Sequence, residues 1–330
     1  MLDLTSRTEE AHDAASKMGA ELDLTANPME EKLRAIQLED PRLPPKWVAA
    51  MGVPFLDESP MIGPAPWSAK HFQQPRLRRC TMDPSTLAWE AELGGGLDGY
   101  VWKVWFGDAG PFALKLFWDN PPDFFHYFAA QRECHNAAIL QMIEASMAQA
   151  AADSRTIHVH ANPQTQNDAL DNQFAFSDEN LAQSSQGGSK PASPSTIDPE
   201  SPNSVPITSI PRLKECYGWM KLPGEMFHDL PMDLRVQPYT VSKIKRSVDS
   251  GEEYIAVIYE YIEEGENDPS VVEEVDRFFW LTGFCHTVSP ASSNWKSGVL
   301  IDLADMVDAD GFGWDPTLYG PWKASWILKE

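Results

Sequence analysis

Leu93-Gly94-Gly95-Gly96-Leu97-Asp98-Gly99-Tyr100-Val101 decides the fold reading, because it sets Gly-x-Gly-x-x-Gly-x-Val between two runs rich in apolar and aromatic residues. Leu87-Ala88-Trp89 precedes it, and Tyr100-Val101-Trp102-Lys103-Val104-Trp105-Phe106 continues from it. A Gly107-Asp108-Ala109-Gly110 turn then leads into Phe112-Ala113-Leu114-Lys115-Leu116-Phe117. Short β-branched and aromatic runs punctuated by glycine predict an antiparallel meander. In a strand–turn–strand setting, Gly94, Gly96 and Gly99 let backbone amides approach phosphates without Cβ clashes. A Gly-rich hairpin turn with no ligand is the other reading of the same residues. The dinucleotide-binding version of the motif needs a helix after the loop, whereas here a second strand follows.

Working outward, Lys115 sits in the middle of an apolar strand. A buried lysine is expensive without an anionic partner, and an edge lysine snorkelling to water is the alternative. Residues 123–147 read as a helix, with Phe124 and Phe128 on one side and Glu133, Ala137 and Leu140 on another. Glu133 is the natural partner for Lys115. The three features in this order resemble the amino-terminal lobe of protein kinases: a Gly-rich loop ending at Val101, a strand lysine on the nucleotide phosphates and a helix glutamate holding that lysine. The resemblance implies a nucleotide site formed by Gly94, Gly96, Gly99, Val101, Lys115 and Glu133, with ATP and Mg²⁺ as its ligands where the site is intact.

Downstream, Ile210–Trp219 and Tyr254–Tyr261 are the expected fourth and fifth strands, and Glu260-Tyr261-Ile262-Glu263-Glu264-Gly265 resembles a kinase hinge. Pro269 opens an expected helix from Val271 to Cys285, with Val272, Val275, Phe279 and Leu281 as core candidates. Kinases follow that helix with a His-Arg-Asp loop, but no Asp lies between His286 and Asp302. Asp302, in Val299-Leu300-Ile301-Asp302, stands where a metal-binding Asp is expected, and Asn294 where a metal-binding Asn is expected. No catalytic residue is assigned, since a missing general base costs roughly 10²–10⁴ in rate and a histidine at a helix end is more often a packing residue. Little chain follows Ala304, so the second lobe is expected to be truncated and degenerate.

Several segments resemble a narrower group, the fungal kinetochore Sim-complex subunit (FTA-type) family: Asp98–Val104, Phe112–Phe117, Arg132–Gln141 and Asn294–Asp302. The resemblance spans about 87–147 and 207–322. It implies a kinetochore scaffolding role, protein partners among other kinetochore subunits and a nuclear location, with the cytoplasm as the alternative.

Composition limits the rest. At 42 % hydrophobic residues with 12 Trp and 15 Phe, the chain can bury a core and is not wholly disordered. Its net charge of −23 repels phosphate backbones and anionic membranes, so no direct nucleic-acid or membrane partner is expected. Lys70, His71, Arg76, Arg78 and Arg79 form the one basic cluster, read as a solvated loop or a contact for an acidic partner. The four cysteines are scattered, which argues against a zinc framework and a disulfide scaffold. No apolar leader or membrane-length run is seen.

The expected organisation is therefore 1–84 as an acidic arm, a short helix near Asn27–Leu38 and a Pro-rich connection, then 85–330 as a kinase-like α+β domain. That domain would be interrupted by a disordered insertion at about 148–206, where Ala, Gln, Asn, Ser, Asp and Pro dominate. The reading is an amino-terminal lobe of antiparallel sheet plus one packed helix, serving as a pseudokinase-like scaffold. The rival is an active ATP-dependent phosphotransferase acting on a protein or small molecule.

Overall fold

In the computed structural model, residues 45–119, 127–183, 197–236, 238–241, 244–287 and 290–329 are described. The chain divides into two units, Met1–Gly52 and Val53–Glu330. Of the first, only α1 (Pro45–Met51) and the residue after it are described, and the helix expected near Asn27–Leu38 lies outside the described residues.

The second unit runs β1 (Leu56–Pro60), α2 (Ala69–Gln73), β2 (Leu77–Arg79), β3 (Leu87–Gly95), β4 (Gly99–Phe106), β5 (Ala109–Phe117) and the long helix α3 (Ala129–Ala152). Next come β6 (Ile157–His160), α4 (Gln166–Phe174), α5 (Asp178–Gln183), β7 (Ser204–Ile207), β8 (Cys216–Pro223), α6 (Glu225–His228), β9 (Tyr239–Val241), β10 (Ile244–Arg246) and β11 (Glu253–Glu260). It closes with α7 (Pro269–Leu281), β12 (Cys285–His286), β13 (Trp295–Lys296), β14 (Val299–Leu300), β15 (Met306–Val307) and α8 (Ala324–Ile327). The architecture is α+β, built on one seven-stranded mixed sheet of order β1-β2-β8-β11-β5-β4-β3. The meander β3-β4-β5 is antiparallel, β11 and β8 extend it antiparallel, and β2 and β1 add on parallel.

Period-two alternation explains how the central strand works. On one face of β5, Phe112, Leu114 and Leu116 enter a core with Trp102, Val104, Leu222, Phe227, Ala256 and Ile258. The opposite face carries Ala113, Lys115 and Phe117. Lys115 lies between Val101 of β4 and Val257 of β11, so it occupies the centre of the sheet, not an edge. That excludes the snorkelling alternative, and its side chain is buried.

Two expectations are corrected. The Pro-rich stretch up to residue 84 is not merely a connection: β1 and β2 join the sheet, with Leu77 fully buried. Pro60 is accommodated because it ends the outermost strand, where a missing N–H is harmless. The stretch 148–206 is not a disordered insertion where it is described. It carries the end of α3, the β6–β7 ribbon, α4 and α5. Thr165 and Asp168 form a reciprocal capping box that starts α4, and Ile157, Val159, Ala169, Phe176 and Leu181 are buried. Asn172, also buried, donates to the carbonyl of Leu281, tying this region to α7. Averaged composition hid these few anchors among polar neighbours. The most polar part, 184–196, lies outside the described residues.

The expected helix over 123–147 is found as α3, running from Ala129 to Ala152; Phe124 lies outside the described residues. It is buried on nearly all sides, including Gln131, Arg132, Glu133 and Asn136. Each of those polar groups therefore needs a partner.

Candidate functional site

The glycine turn joins β3 to β4, with Gly96 N–H donating to the Gly99 carbonyl at 2.9 Å. Gly94 has φ +139°, which only glycine adopts readily. Gly99 answers a different need, because a Cβ there would lie 1.9 Å from the Leu116 carbonyl oxygen. It lets β4 press against β5. The tip is tied down: Trp118 Nε1 donates to the Gly96 carbonyl at 2.9 Å, and Tyr127 Oη donates to Asp98 Oδ2 at 2.6 Å. The Arg132 guanidinium lies 3.8 Å over the Tyr127 ring.

Beneath the turn, Lys115 Nζ donates to Glu133 Oε2 at 2.7 Å and to Asp302 Oδ1 at 2.8 Å. Glu133 is fully buried, and its other oxygen takes Lys214 Nζ at 3.3 Å. Lys214 also donates to the Ile301 carbonyl at 2.7 Å and sits 3.5 Å over the Tyr259 ring. Two lysines and two acids therefore form one network, buried except at the part-exposed Asp302, joining β5, α3, the entry to β8 and the segment after β14.

Glu133 is not alone in crossing from α3 to that segment. Arg132 donates to the Ala304 carbonyl, and Asn136 Nδ2 to the carbonyls of Leu303 and Met306. Asp302 Oδ1 further accepts Ala304 N–H at 2.9 Å. Asn294 Nδ2 donates to Asp305 Oδ2 at 2.5 Å. His286 is buried and bonded through Nε2 to Asp276 Oδ1 at 2.7 Å, while Asp276 Oδ2 takes Trp322 N–H at 2.6 Å. Its ring is committed to Asp276, and it does not line the cleft beside Lys115.

A cleft of about 250 Å³ brings Gly94, Val101, Lys115, Asn294 and Asp302 together with Tyr261 of the stretch after β11. Glu133 stands behind Lys115. Gly96 and Gly99 do not line the cleft. Among the described residues, no cluster of three or more His, Cys, Asp or Glu side chains is placed to hold a metal ion, and no helix is long and apolar enough to cross a membrane.

Electrostatics follow from crowding. Burial works against the Lys115 charge, but Asp302, Glu133 and Asp98 outweigh it and raise its pKa well above that of an ordinary lysine. Burial also opposes ionisation of Asp302, yet the Lys115 charge and hydrogen bond hold it down to about 2. Asp98 and Asp305 lie in the same field and are raised, chiefly by burial, with Asp302 adding repulsion to both. Lys214 is lowered by burial, which Glu133 only partly offsets.

Sequence reasoning found Lys115, Glu133 and Asp302. It missed Lys214, Asp98, Asp305, Tyr127 and Arg132 as members of the same site. Asp98 sat in plain view at a variable position of the glycine motif, and Lys214 lies two residues before β8. No protein-family model, curated protein or solved structure matches this chain.

Proposed function

We propose that this chain is a kinase-like protein-interaction subunit in which the Lys115–Glu133 pair is structural and no phosphoryl transfer takes place. Support for the kinase-like reading comes from the meander, the two later strands that extend it, β11 beside β5 and β8 beside β11, and a helix glutamate 2.7 Å from a strand lysine. One observation carries the silent reading: Lys115 is held by the chain's own carboxylates. Glu133 and Asp302 are hydrogen-bonded to it, and Asp98, anchored by Tyr127, adds a third acid to its field from the glycine turn itself. A nucleotide's phosphates entering here meet the Asp302 carboxylate, and the three lysines lining the cleft are already engaged: Lys115 by Glu133 and Asp302, Lys214 by Glu133 and the Ile301 carbonyl, Lys296 by Glu264. The absence of an Asp between His286 and Asp302, with His286 sequestered by Asp276, leaves no evident base.

The resemblance to the fungal kinetochore family makes other kinetochore subunits the first partners to test, in the nucleus. A tagged chain that fails to concentrate at centromeres in fungal cells removes that assignment. The second reading, a phosphotransferase using ATP and Mg²⁺, is favoured by the convergence of Gly94, Val101, Lys115, Asn294 and Asp302 on one cleft. Asp302 and Asn294 would be the metal-facing side chains there. The deciding experiment incubates the purified full chain with labelled ATP, Mg²⁺, and protein and small-molecule acceptors. No transfer above background is expected. Transfer that is lost in a folded Lys115→Arg variant overturns the proposal.

A further inference from the structure

The basic cluster singled out in the sequence plays no part in the cleft, and the structure gives it a form that a solvated loop would not have. Lys70 and His71 of α2, Arg76, and Arg78 of β2 converge on a pocket of about 280 Å³, closed on one side by Gln141 and Met142 of α3. We infer that this pocket binds a phosphoryl group carried by a partner protein.

The charge balance is the first support. Arg78 is 9 % exposed, and its guanidinium donates to the carbonyls of Ile62 at 3.0 Å, Gly63 at 3.0 Å and Pro64 at 3.3 Å. These oxygens satisfy its hydrogen bonds without cancelling its charge, and its Nε has no partner. Burial lowers its pKa more than Asp57, which also lines the pocket, restores it. Lys70 and Arg76 are exposed and make no ion pair or side-chain hydrogen bond among the described residues. Elsewhere in this acidic chain exposed cations do find acids: Arg79 with Glu58, Lys221 with Glu253, Arg212 with Glu260. Near α2, Glu179 is committed to the Ala69 N–H, and His71 Nδ1 to Ser68 Oγ.

The second support is stoichiometry. Three cations against one carboxylate in the pocket walls leave an excess that matches a dianion better than a single carboxylate. Arginine supplies the planar donor fork, and lysine a flexible point charge. A net charge of −23 disfavours a nucleic-acid backbone, which needs a continuous basic track. A phosphorylated side chain on a protein brings one phosphoryl group, and one is what a pocket of this kind accepts.

The test uses the full chain at constant ionic strength with two probes. Inorganic phosphate, followed by calorimetry, is expected to bind saturably, to weaken about tenfold or more in Lys70→Ala/Arg76→Ala, and to be unchanged in the cleft variant Asn294→Ala. Both altered cations are exposed, so folding is not at stake. A degenerate peptide pool with one fixed phosphoserine is expected to bind more tightly than inorganic phosphate, and its unphosphorylated counterpart not at all. Absence of saturable phosphate binding overturns the proposal, as does binding that survives the double variant. Phosphopeptide binding no tighter than free phosphate, or preferential binding of a DNA oligonucleotide through the same cations, overturns the assignment to a protein partner.

Discussion

Helix α3 contributes to two charged clusters of opposite kind. Through Glu133 it enters a network in which every charge is answered and all but the part-exposed Asp302 are buried: Lys115 by Glu133 and Asp302, Glu133 by Lys214. Through Gln141 and Met142 it walls a pocket in which Lys70 and Arg76 answer nothing and Arg78 is solvated only by carbonyls. The first cluster welds sheet, helix and the 301–306 segment together and has little left to offer a ligand. The second holds little together and has unspent charge. In this molecule the part resembling an active site is the better candidate for architecture, and the part without an enzyme's motif is the better candidate for recognition.

The sharpest way to break that contrast is Lys115→Met. Removing the amine leaves the fully buried Glu133 with Lys214 alone and takes the cation from the part-exposed Asp302, and breaking a buried pair costs up to about 3–5 kcal/mol. Urea unfolding should show a loss of that size. The acid limb supplies a second readout. Asp302, held at about 2 by Lys115, contributes stability that is complete above its ordinary unfolded-state pKa and is lost as pH falls towards 2. In Lys115→Met that contribution should disappear. A variant as stable as the parent at pH 7 would mean the network is dispensable and the contrast is wrong.

How much of this was legible beforehand depends on how local each signal is. Lys115 announced itself because a charge inside Phe112–Phe117 violates the strand's own pattern, and Glu133 followed because it lies only 18 residues on, in the next helix. Glycine spacing fixed the turn, yet Gly99 serves the approach to Leu116, which depends on strand packing that no motif encodes. Lys214 lies 81 residues from its partner Glu133, and such a contact leaves no trace in either segment alone. The ordered ribbon β6–β7 failed to register for a similar reason: Ile157 and Val159 are two apolar residues among polar ones, and their value comes from burial supplied by distant chain.

Asp308 is the intermediate case, a buried acid with no ion pair among the described residues. It is pushed up to about 6, mainly by burial, although Asp310 N–H donates to it at 3.1 Å. A raised folded-state pKa gives stability that is complete below the unfolded value near 4 and is lost as pH rises through 6. Asp308→Asn keeps the acceptor oxygen and removes the charge. It should stabilise the protein at pH 7 by about 1–3 kcal/mol, with the gain fading below pH 4 in denaturant titrations across that range. A variant equally destabilised at every pH would show that the carboxylate is paired after all, and would move Asp308 to the answered class.

The smallest expected effect is the most informative about the pocket. Lys70→Ala/Arg76→Ala removes two exposed charges that hold no partner, so unfolding free energy in the absence of anions should change by no more than about 0.5 kcal/mol. Addition of inorganic phosphate should then open a gap between parent and variant, because a ligand that binds only the folded state stabilises it in proportion to the logarithm of its saturation. The gap should shrink as sodium chloride is raised, since these charges face water. If the double variant loses several kcal/mol without any anion present, Lys70 and Arg76 are supporting structure as Lys115 does, and the two clusters differ only in depth.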